Sequence, residues 1–219
     1  GNHLVLFISG AGSSDSITIE NMYSDSRYRI EEIVFDDGNK LTVGEIFELP
    51  LTGTAGDDVL NLTDYSDTVS ALSGDDVIHA GSGDDAVDGG DGNDTITVNG
   101  SGSNTLSGGA GDDTIRVNRS SNYTYQRDQS SKASNTLTGG TGNDRLEGSS
   151  GAETYVFNRG DGQDVINDFD YNFYNSRAGW GRTDRIVLGT GIVKEDLSVQ
   201  RVGNHLVLFI SGAGSSDSI

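Results

Sequence analysis

Single large apolar residues recur about every nine positions between residues 51 and 168, and each is flanked by polar residues and preceded by a glycine-rich stretch. In residues 89–97, which read GGDGNDTIT, Ile96 stands between two threonines. Three residues with one apolar centre are too few for a helix and suit a very short strand, because the side chains of a strand alternate between its faces. The pattern therefore predicts an all-β coil with an inner apolar ladder of Leu60, Val69, Ile78, Val87, Ile96, Leu106, Ile115, Leu137, Leu146, Tyr155 and Ile166.

The turns between these strands carry a motif of the form Gly-Gly-x-Gly-x-Asp. It begins at Gly89, and near copies begin at Gly108 and Gly139. This nonapeptide resembles the haemolysin-type (RTX) calcium-binding repeats of large secreted bacterial proteins. The resemblance implies a right-handed parallel β-roll with two nonapeptides per coil, so that alternate turns stack on opposite edges. It also implies a type I secretion route and a place outside the cell or on its surface.

On that geometry the odd-numbered and even-numbered turns form two edges, here named the odd edge and the even edge. All odd-numbered turns keep Gly in the fourth position and Asp in the sixth; these aspartates are Asp58, Asp76, Asp94, Asp113, Asp144 and Asp164. The even-numbered turns read LTDYSD, AGSGDD, NGSGSN, SSKASN and GSSGAE, and only the one ending at Asp85 is intact. Both insertions, Val98 and residues 117–129, also fall on the even edge. We therefore expect a continuous metal ladder on the odd edge and a largely metal-free even edge.

Calcium is the cation that the resemblance assigns to these turns. A hard cation takes several oxygen ligands, and the turns offer carboxylates and accessible glycine carbonyls, whereas the strict octahedron of magnesium suits such a cage poorly. By resemblance, each ion lies between successive turns of one edge, so six odd-numbered turns imply about five ions. The expected ligands are the odd-edge aspartates, Asp67 and Asp85 of the even edge, Asp168 near the last site, and Gly56, Gly74, Gly90, Gly92, Gly109, Gly111, Gly140, Gly142 and Gly162.

The charge of the chain agrees with a cation as ligand. There are 34 acidic and 14 basic residues, for a net charge of −20, which argues against nucleic acid or an anionic membrane as a partner. The lack of cysteine excludes disulfides and thiolate metal sites, and no apolar run is long enough for a transmembrane helix. The GxSxG, HExxH and phosphate-loop motifs are absent, and His79 stands alone at an outward position, so we expect no catalysis.

The segments outside the repeats predict a β-rich flanking domain. Residues 1–17 and 203–219 are identical, and the second copy begins 202 residues after the first, which predicts a piece of a longer tandem array. We expect residues 1–49 to fold back onto residues 152–202 within one chain, so that one copy is redundant; pairing of these segments between two chains is the alternative. The expected domains are the back half of a flanking domain resembling those of calcium-repeat proteins (1–50), the roll (51–168) and the front half of that domain (169–219).

Two local elements are also predicted within the first of these segments. The polar residues 36–39 lie between two apolar runs and contain Asp-Gly, which predicts a hairpin. A Thr at position 42 with Glu three residues later predicts the start of a short helix that continues to Phe47.

Three functions remain open from the sequence. The tandem duplication favours a calcium-stiffened structural repeat of a large secreted adhesin, whose partners are calcium and the neighbouring repeats. The second is the repeat region of a secreted hydrolase or toxin, which a neighbouring catalytic domain would reveal. The third is a module that binds a glycan or protein through the aromatic loops at residues 123–125 and 171–180. For those loops, a solvent-exposed insertion is the simpler interpretation.

Overall fold

The computed structural model describes residues 4–10, 13–22, 27, 29–47, 49–118, 134–149, 151–168, 183–211 and 217–219. Within them the chain forms two antiparallel hairpins, then a long double stack of parallel strands, then a small antiparallel sheet. The only α-helix in this part of the chain is five residues long. The predicted all-β class and parallel roll are therefore confirmed.

The N-terminal hairpins have their own small core. The elements are β1 (Leu4–Gly10), β2 (Ser13–Ile19), β3 (Glu32–Val34), β4 (Lys40–Thr42) and α1 (Val43–Phe47). The predicted hairpin at residues 36–39 is confirmed, because β3 and β4 pair antiparallel around it. The predicted helix is confirmed as well, since the Glu45 carboxylate accepts the Thr42 N–H at 2.8 Å and so caps the first turn. The buried residues of this core are Leu4, Met22, Ile46 and Phe47.

The roll consists of two parallel sheets whose strands alternate along the chain. Strands that follow odd-edge turns form the first sheet: β6 (Val59–Asn61), β8 (Val77–Ala80), β10 (Thr95–Val98), β12 (Thr114–Val117), β14 (Arg145–Glu147) and β16 (Val165–Asn167). The other strands form the second sheet: β5 (Leu51–Thr52), β7 (Thr68–Ser70), β9 (Ala86–Asp91), β11 (Thr105–Ala110), β13 (Ser134–Thr141), β15 (Ala152–Phe157) and β17 (Arg185–Leu188).

The predicted apolar ladder forms the core between these sheets. In the first sheet, Ile96 lies in register with Ile78 below it and Ile115 above it. In the second sheet, Leu106 lies between Val87 and Leu137 in the same way. The central members are fully buried, whereas Leu60 and Ile166 are only partly buried because they lie in the terminal strands of the first sheet. The nine-residue period is therefore the repeat that buries the core.

The second sheet extends past residue 168, where the sequence suggested that the roll ends. Strand β17 pairs with β15, and Ile186 stands in register with Tyr155. Ile186 and Val187 are 45% and 42% exposed, so β17 covers the end of the sheet with little burial of its own.

The C-terminal strands pack against the last odd-edge turn. They are β18 (Leu197–Val202), β19 (His205–Ile210) and β20 (Asp217–Ser218), all antiparallel. Ser218 bridges Gln163 of the turn, and the Gly160 N–H donates to the Asp217 carboxylate at 2.8 Å. Asp217 is buried there beside Asp161 and Asp164. The second copy of the duplicated segment therefore completes the end of the roll.

The two copies of the 17-residue sequence make the same local hairpin. In the first copy Phe7 pairs with Ser16, and in the second copy the equivalent Phe209 pairs with Ser218. In the described residues, the N-terminal strands and β18 to β20 share no sheet. The expected fold-back of the N-terminal segment onto residues 152–202 therefore does not occur through a shared sheet of described strands, and otherwise it stays a prediction. Each copy finds its partner strand nearby in the chain, and loop closure is cheaper over a short distance.

Candidate metal centre

The sixth-position aspartates of the odd edge form one continuous hydrogen-bonded ladder. Each Oδ1 atom accepts the backbone N–H of the aspartate one coil below, which fixes the carboxylate between two coils. The donor and acceptor residues are Asp58 and Asp76 (2.7 Å), Asp76 and Asp94 (2.8 Å), Asp94 and Asp113 (2.7 Å), Asp113 and Asp144 (2.8 Å), and Asp144 and Asp164 (3.1 Å). The structure thus brings all six predicted odd-edge aspartates together in one row.

The second carboxylate oxygens in this row are the atoms that fit a cation. Oδ2 of Asp76, Asp94, Asp113 and Asp144 is buried and accepts no hydrogen bond from the described residues. A buried carboxylate oxygen without a hydrogen-bond donor or a cation destabilises the fold, because it has lost its hydration and no other interaction replaces it. Their regular spacing along one edge indicates a row of cation sites rather than a local packing fault.

The first glycine of each motif supplies the space and a carbonyl beside each Oδ2 atom. A Cβ atom at Gly89 would lie 2.3 Å from Oδ2 of Asp94 and 2.6 Å from the carbonyl oxygen of Gly108. At Gly108 it would lie 2.2 Å from Oδ2 of Asp113 and 2.6 Å from the carbonyl oxygen of Gly139. Carboxylate and carbonyl oxygens therefore converge on one space, and this donor set fits calcium. Sequence reasoning missed Gly89, Gly108 and Gly139, although the Gly-Gly pair was a signal for them.

The glycines that the sequence did single out allow the turns to stack closely. Gly109 has a φ of +116°, which strains any residue with a side chain. A Cβ atom at Gly109 would also lie 2.0 Å from the carbonyl oxygen of Gly90 one coil below. Gly56, in the first turn, has nothing within 4 Å of its Cβ position. These glycines set the coil spacing that places the aspartates, and their predicted role as carbonyl ligands stays a prediction.

On each edge, Oδ2 of the first aspartate accepts hydrogen bonds from the protein, unlike Oδ2 of the four central odd-edge aspartates. Oδ2 of Asp58 accepts the N–H of Thr54 at 2.6 Å and its hydroxyl at 3.0 Å. Oδ2 of Asp67 accepts the N–H and the hydroxyl of Thr63, both at 2.9 Å. Both carboxylates are thus satisfied without a cation, which sets them apart from the four central odd-edge aspartates.

The even edge has amides in place of carboxylates at two of its five sixth positions. Asn104 donates through Nδ2 to Oδ1 of Asn135 at 3.1 Å, and Asn135 donates through Nδ2 to Oε1 of Glu153 at 3.1 Å. An amide carries its own donor, so this part of the ladder holds together by direct side-chain hydrogen bonds. Asp85 is the exception, because its buried Oδ2 accepts no hydrogen bond from the described residues.

Burial of the ladder carboxylates opposes their ionisation. Burial, with smaller repulsion from Asp144 and Asp94, raises the pKa of Asp113 to about 7. The pKa of Asp164 rises to about 7 and that of Asp85 to about 6, again chiefly through burial. A raised pKa means that the ionised carboxylate is less stable here than in water. A bound cation would stabilise the ionised form.

We expect the metal-free fold to be more stable in acid than at neutral pH. The folded-state pKa values lie above the ordinary value of 3.8, so their contribution to stability is full below about pH 4 and is lost as the pH rises through about 7. Circular dichroism of the calcium-free chain between pH 4 and pH 8 checks this, because its β-sheet signal should fall as the pH rises. Asp113→Asn should weaken this fall, and a β-sheet signal that does not fall across this range would contradict the expectation.

The remaining predicted residues lie outside the two ladders of sixth-position side chains. Asp168 does not stand alone, because its carboxylate lies with those of Glu153 and Asp184, all three ligand atoms being within 4.8 Å of one another. The aromatic loops at residues 123–125 and 171–180 lie outside the described residues. His79 is exposed, and its cross-strand neighbours are Asn61 and Thr97. Across the described part of the chain, no helix is long and apolar enough to span a membrane.

Comparison with known families agrees with the geometry of the roll. Residues 62–96, 98–123 and 131–166 match the RTX calcium-binding nonapeptide repeat (4 copies). Residues 3–44 match the haemolysin-type calcium binding protein related domain. No curated protein matches the chain. The matched repeats cover the odd-edge ladder from Asp76 to Asp164, and the chain accordingly carries RTX calcium-binding nonapeptide repeats beside a haemolysin-type calcium binding protein related domain.

Proposed function

We propose that the chain is a non-catalytic, load-bearing repeat unit of a large secreted or surface-bound adhesin, which folds and stiffens when it binds calcium outside the cell. Calcium binding itself follows from the RTX repeats. The observation that carries the rest is the row of buried Oδ2 atoms at Asp76, Asp94, Asp113 and Asp144. Such a row leaves the fold incomplete until cations bind, because the coils otherwise bring like charges together.

The proposed place of the chain in a tandem array rests on the duplicated segment. Both copies form a hairpin in the same register, so the segment is a structural joint and not a remnant of the chain ends. The second copy also contacts the last odd-edge turn through Asp217 and Ser218. In an array, each roll would thus be closed by the segment that leads into the next flanking unit.

The proposed calcium dependence also suits export. Calcium sites of extracellular modules bind in the range of about 10⁻⁴ to 10⁻³ M, so they stay empty at the low calcium level of a cytosol. A chain that needs calcium to fold would then leave the cell unfolded and fold outside. Repulsion among the four buried carboxylates of the odd edge would keep the chain unfolded in the cytosol.

Single-molecule stretching tests the load-bearing role. In millimolar calcium, we expect the chain to resist extension and then to lengthen in a discrete step as the roll unfolds. In chelator, it should extend without a force peak, like an unstructured chain. The same extension trace in both solutions would overturn the proposal.

A further inference from the structure

We propose that Glu153, Asp168 and Asp184, with the hydroxyl group of Tyr155, form a separate divalent-cation site, suited to calcium, at the end of the even edge. This site goes beyond the proposed function, because none of its residues belongs to the odd-edge ladder. It also lies on the edge where amides have replaced two of the carboxylates.

The three carboxylates come from three successive parts of the chain. Glu153 is the sixth residue of the last even-numbered turn and is fully buried. Asp184 immediately precedes β17 and occupies the equivalent place one coil further on, since its Oδ1 accepts the Glu153 N–H at 2.9 Å. Asp168 follows β16, which belongs to the opposite sheet. The fold thus gathers one ligand atom from each within 4.8 Å of the others.

The orientation of Glu153 is fixed by neighbouring donors on one of its oxygens. Oε1 accepts Nδ2 of Asn135 at 3.1 Å and the hydroxyl of Ser149 at 3.2 Å. The row of amides therefore ends in a carboxylate at the coil where Asp168 and Asp184 join it. A structural row that needed no cation could have continued with a further amide, as Asn104 and Asn135 show.

The hydroxyl group of Tyr155 gives an independent indication of a ligand. Tyr155 is 2% exposed, and its hydroxyl makes no hydrogen bond within the described parts of the chain. A Cβ atom at Gly148 would lie 1.9 Å from this hydroxyl and 2.8 Å from Oδ1 of Asp168, so the two oxygens border the same space. Burial raises the pKa of Tyr155, and the nearby Asp168 carboxylate raises it further.

The chemistry of this donor set selects a hard divalent cation. All the donors are oxygen atoms, without the imidazole or thiolate ligands that zinc and copper favour. Three carboxylates and a phenol hydroxyl, completed by backbone carbonyls or water, suit the flexible coordination of calcium. Magnesium is less well served, because it demands a near-ideal octahedron and keeps most of its water.

The consequence of such a site is that it anchors the last strand of the roll. Strand β17 buries little apolar surface, with Ile186 and Val187 both exposed by more than two fifths. A cation shared by Asp184, Asp168 and Glu153 would tie the start of β17 to the end of β16 and the start of β15. The site would therefore close the even edge where the packing is weakest.

Native mass spectrometry of the calcium-loaded chain tests this site. Asp168→Asn and Asp184→Asn should each hold one calcium ion fewer than the original chain. Asp184→Asn keeps the oxygen that accepts the Glu153 N–H, so the ladder bond survives while the charge is lost. Glu195→Gln is the matched control, because it removes one exposed carboxylate outside the cluster and should leave the ion count unchanged.

A second measurement keeps all the carboxylates. Terbium is a luminescent stand-in for calcium, and a tyrosine that contacts the ion sensitises its emission. Tyr155→Phe preserves the buried ring and should lower the sensitised emission of terbium-loaded protein. An unchanged ion count in both aspartate variants, or unchanged emission in Tyr155→Phe, would overturn the site. Such a result alongside an ion loss in Asp94→Asn would leave the odd-edge proposal intact, whereas a chain that binds no calcium at all would overturn both.

Discussion

Removal of calcium should unfold the roll and leave the chain largely without regular structure. The odd ladder stacks carboxylates one strand spacing apart, at about 4.8 Å. At an effective dielectric constant of about 20, each neighbouring pair of anions then repels by roughly 3 kcal/mol. Asp76, Asp94, Asp113 and Asp144 make several such pairs in series, whereas a domain of ordinary stability has only about 5 to 15 kcal/mol in total.

Bound calcium reverses this balance by mass action. A site at a free calcium concentration of about one hundred times its dissociation constant adds about 2.7 kcal/mol to the stability of the fold. Several sites in one row therefore convert an unfavourable fold into a stable one. Circular dichroism in chelator and then in millimolar calcium measures the effect, with magnesium at the same concentration as the control. A β-sheet spectrum that persists in chelator would contradict the prediction.

The inner ladder and the odd-edge aspartates could be predicted because both repeat at fixed positions. Every coil must bury one apolar residue and turn within six residues, so the constraint on Ile96 is the same as that on Ile115. The structure confirms this stacking. In the sequence, Asn104 and Asn135 could be recognised only as positions where the aspartate is lost. The hydrogen bond between their side chains joins two successive coils and leaves no pattern along the chain.

The place of strand β17 in the roll was missed because residues 169–182 interrupt the nine-residue spacing. The segment Thr183-Asp184-Arg185-Ile186 nevertheless resembles Asn143-Asp144-Arg145-Leu146, with Asp two positions before the inward apolar residue. The fold-back of the N-terminal segment is not seen as strand pairing in the described residues, and it stays a prediction. Identity between two segments shows that they fold alike, and it does not say which strands they pair with.

The sequence also could not separate the aspartates that need a cation from those that do not. Asp67 and Asp113 both end a turn of the same length. Only the structure shows that Thr63 donates twice to Asp67, while Oδ2 of Asp113 has no donor in the described chain. A Thr four residues before the Asp was the available signal, and Thr54 before Asp58 repeats it.

Asp113→Asn should destabilise the calcium-loaded chain and stabilise the calcium-free one. The new amide keeps Oδ1, which accepts the Asp94 N–H, so the ladder bond remains. Oδ2 is lost between two coils, and we expect the loss of one or two ions, each contributing about 2.7 kcal/mol at a hundredfold excess of calcium. Without calcium, the same change removes a buried charge that repels Asp94 and Asp144, so the variant should keep more β-sheet signal in chelator than the original chain.

Asp67→Asn is the matched control because it makes the same chemical change on the other edge. Its Oδ2 accepts two hydrogen bonds from Thr63, and their disturbance costs about 1 kcal/mol whether or not calcium is present. Thermal melts of both variants in calcium, together with circular dichroism of both in chelator, therefore separate a cation ligand from a structural carboxylate by the sign of the effect. Two results would mean that calcium does not bind at the Oδ2 atoms of the odd edge. One is an equal loss of stability for the two variants in calcium, and the other is a loss of structure for Asp113→Asn in chelator.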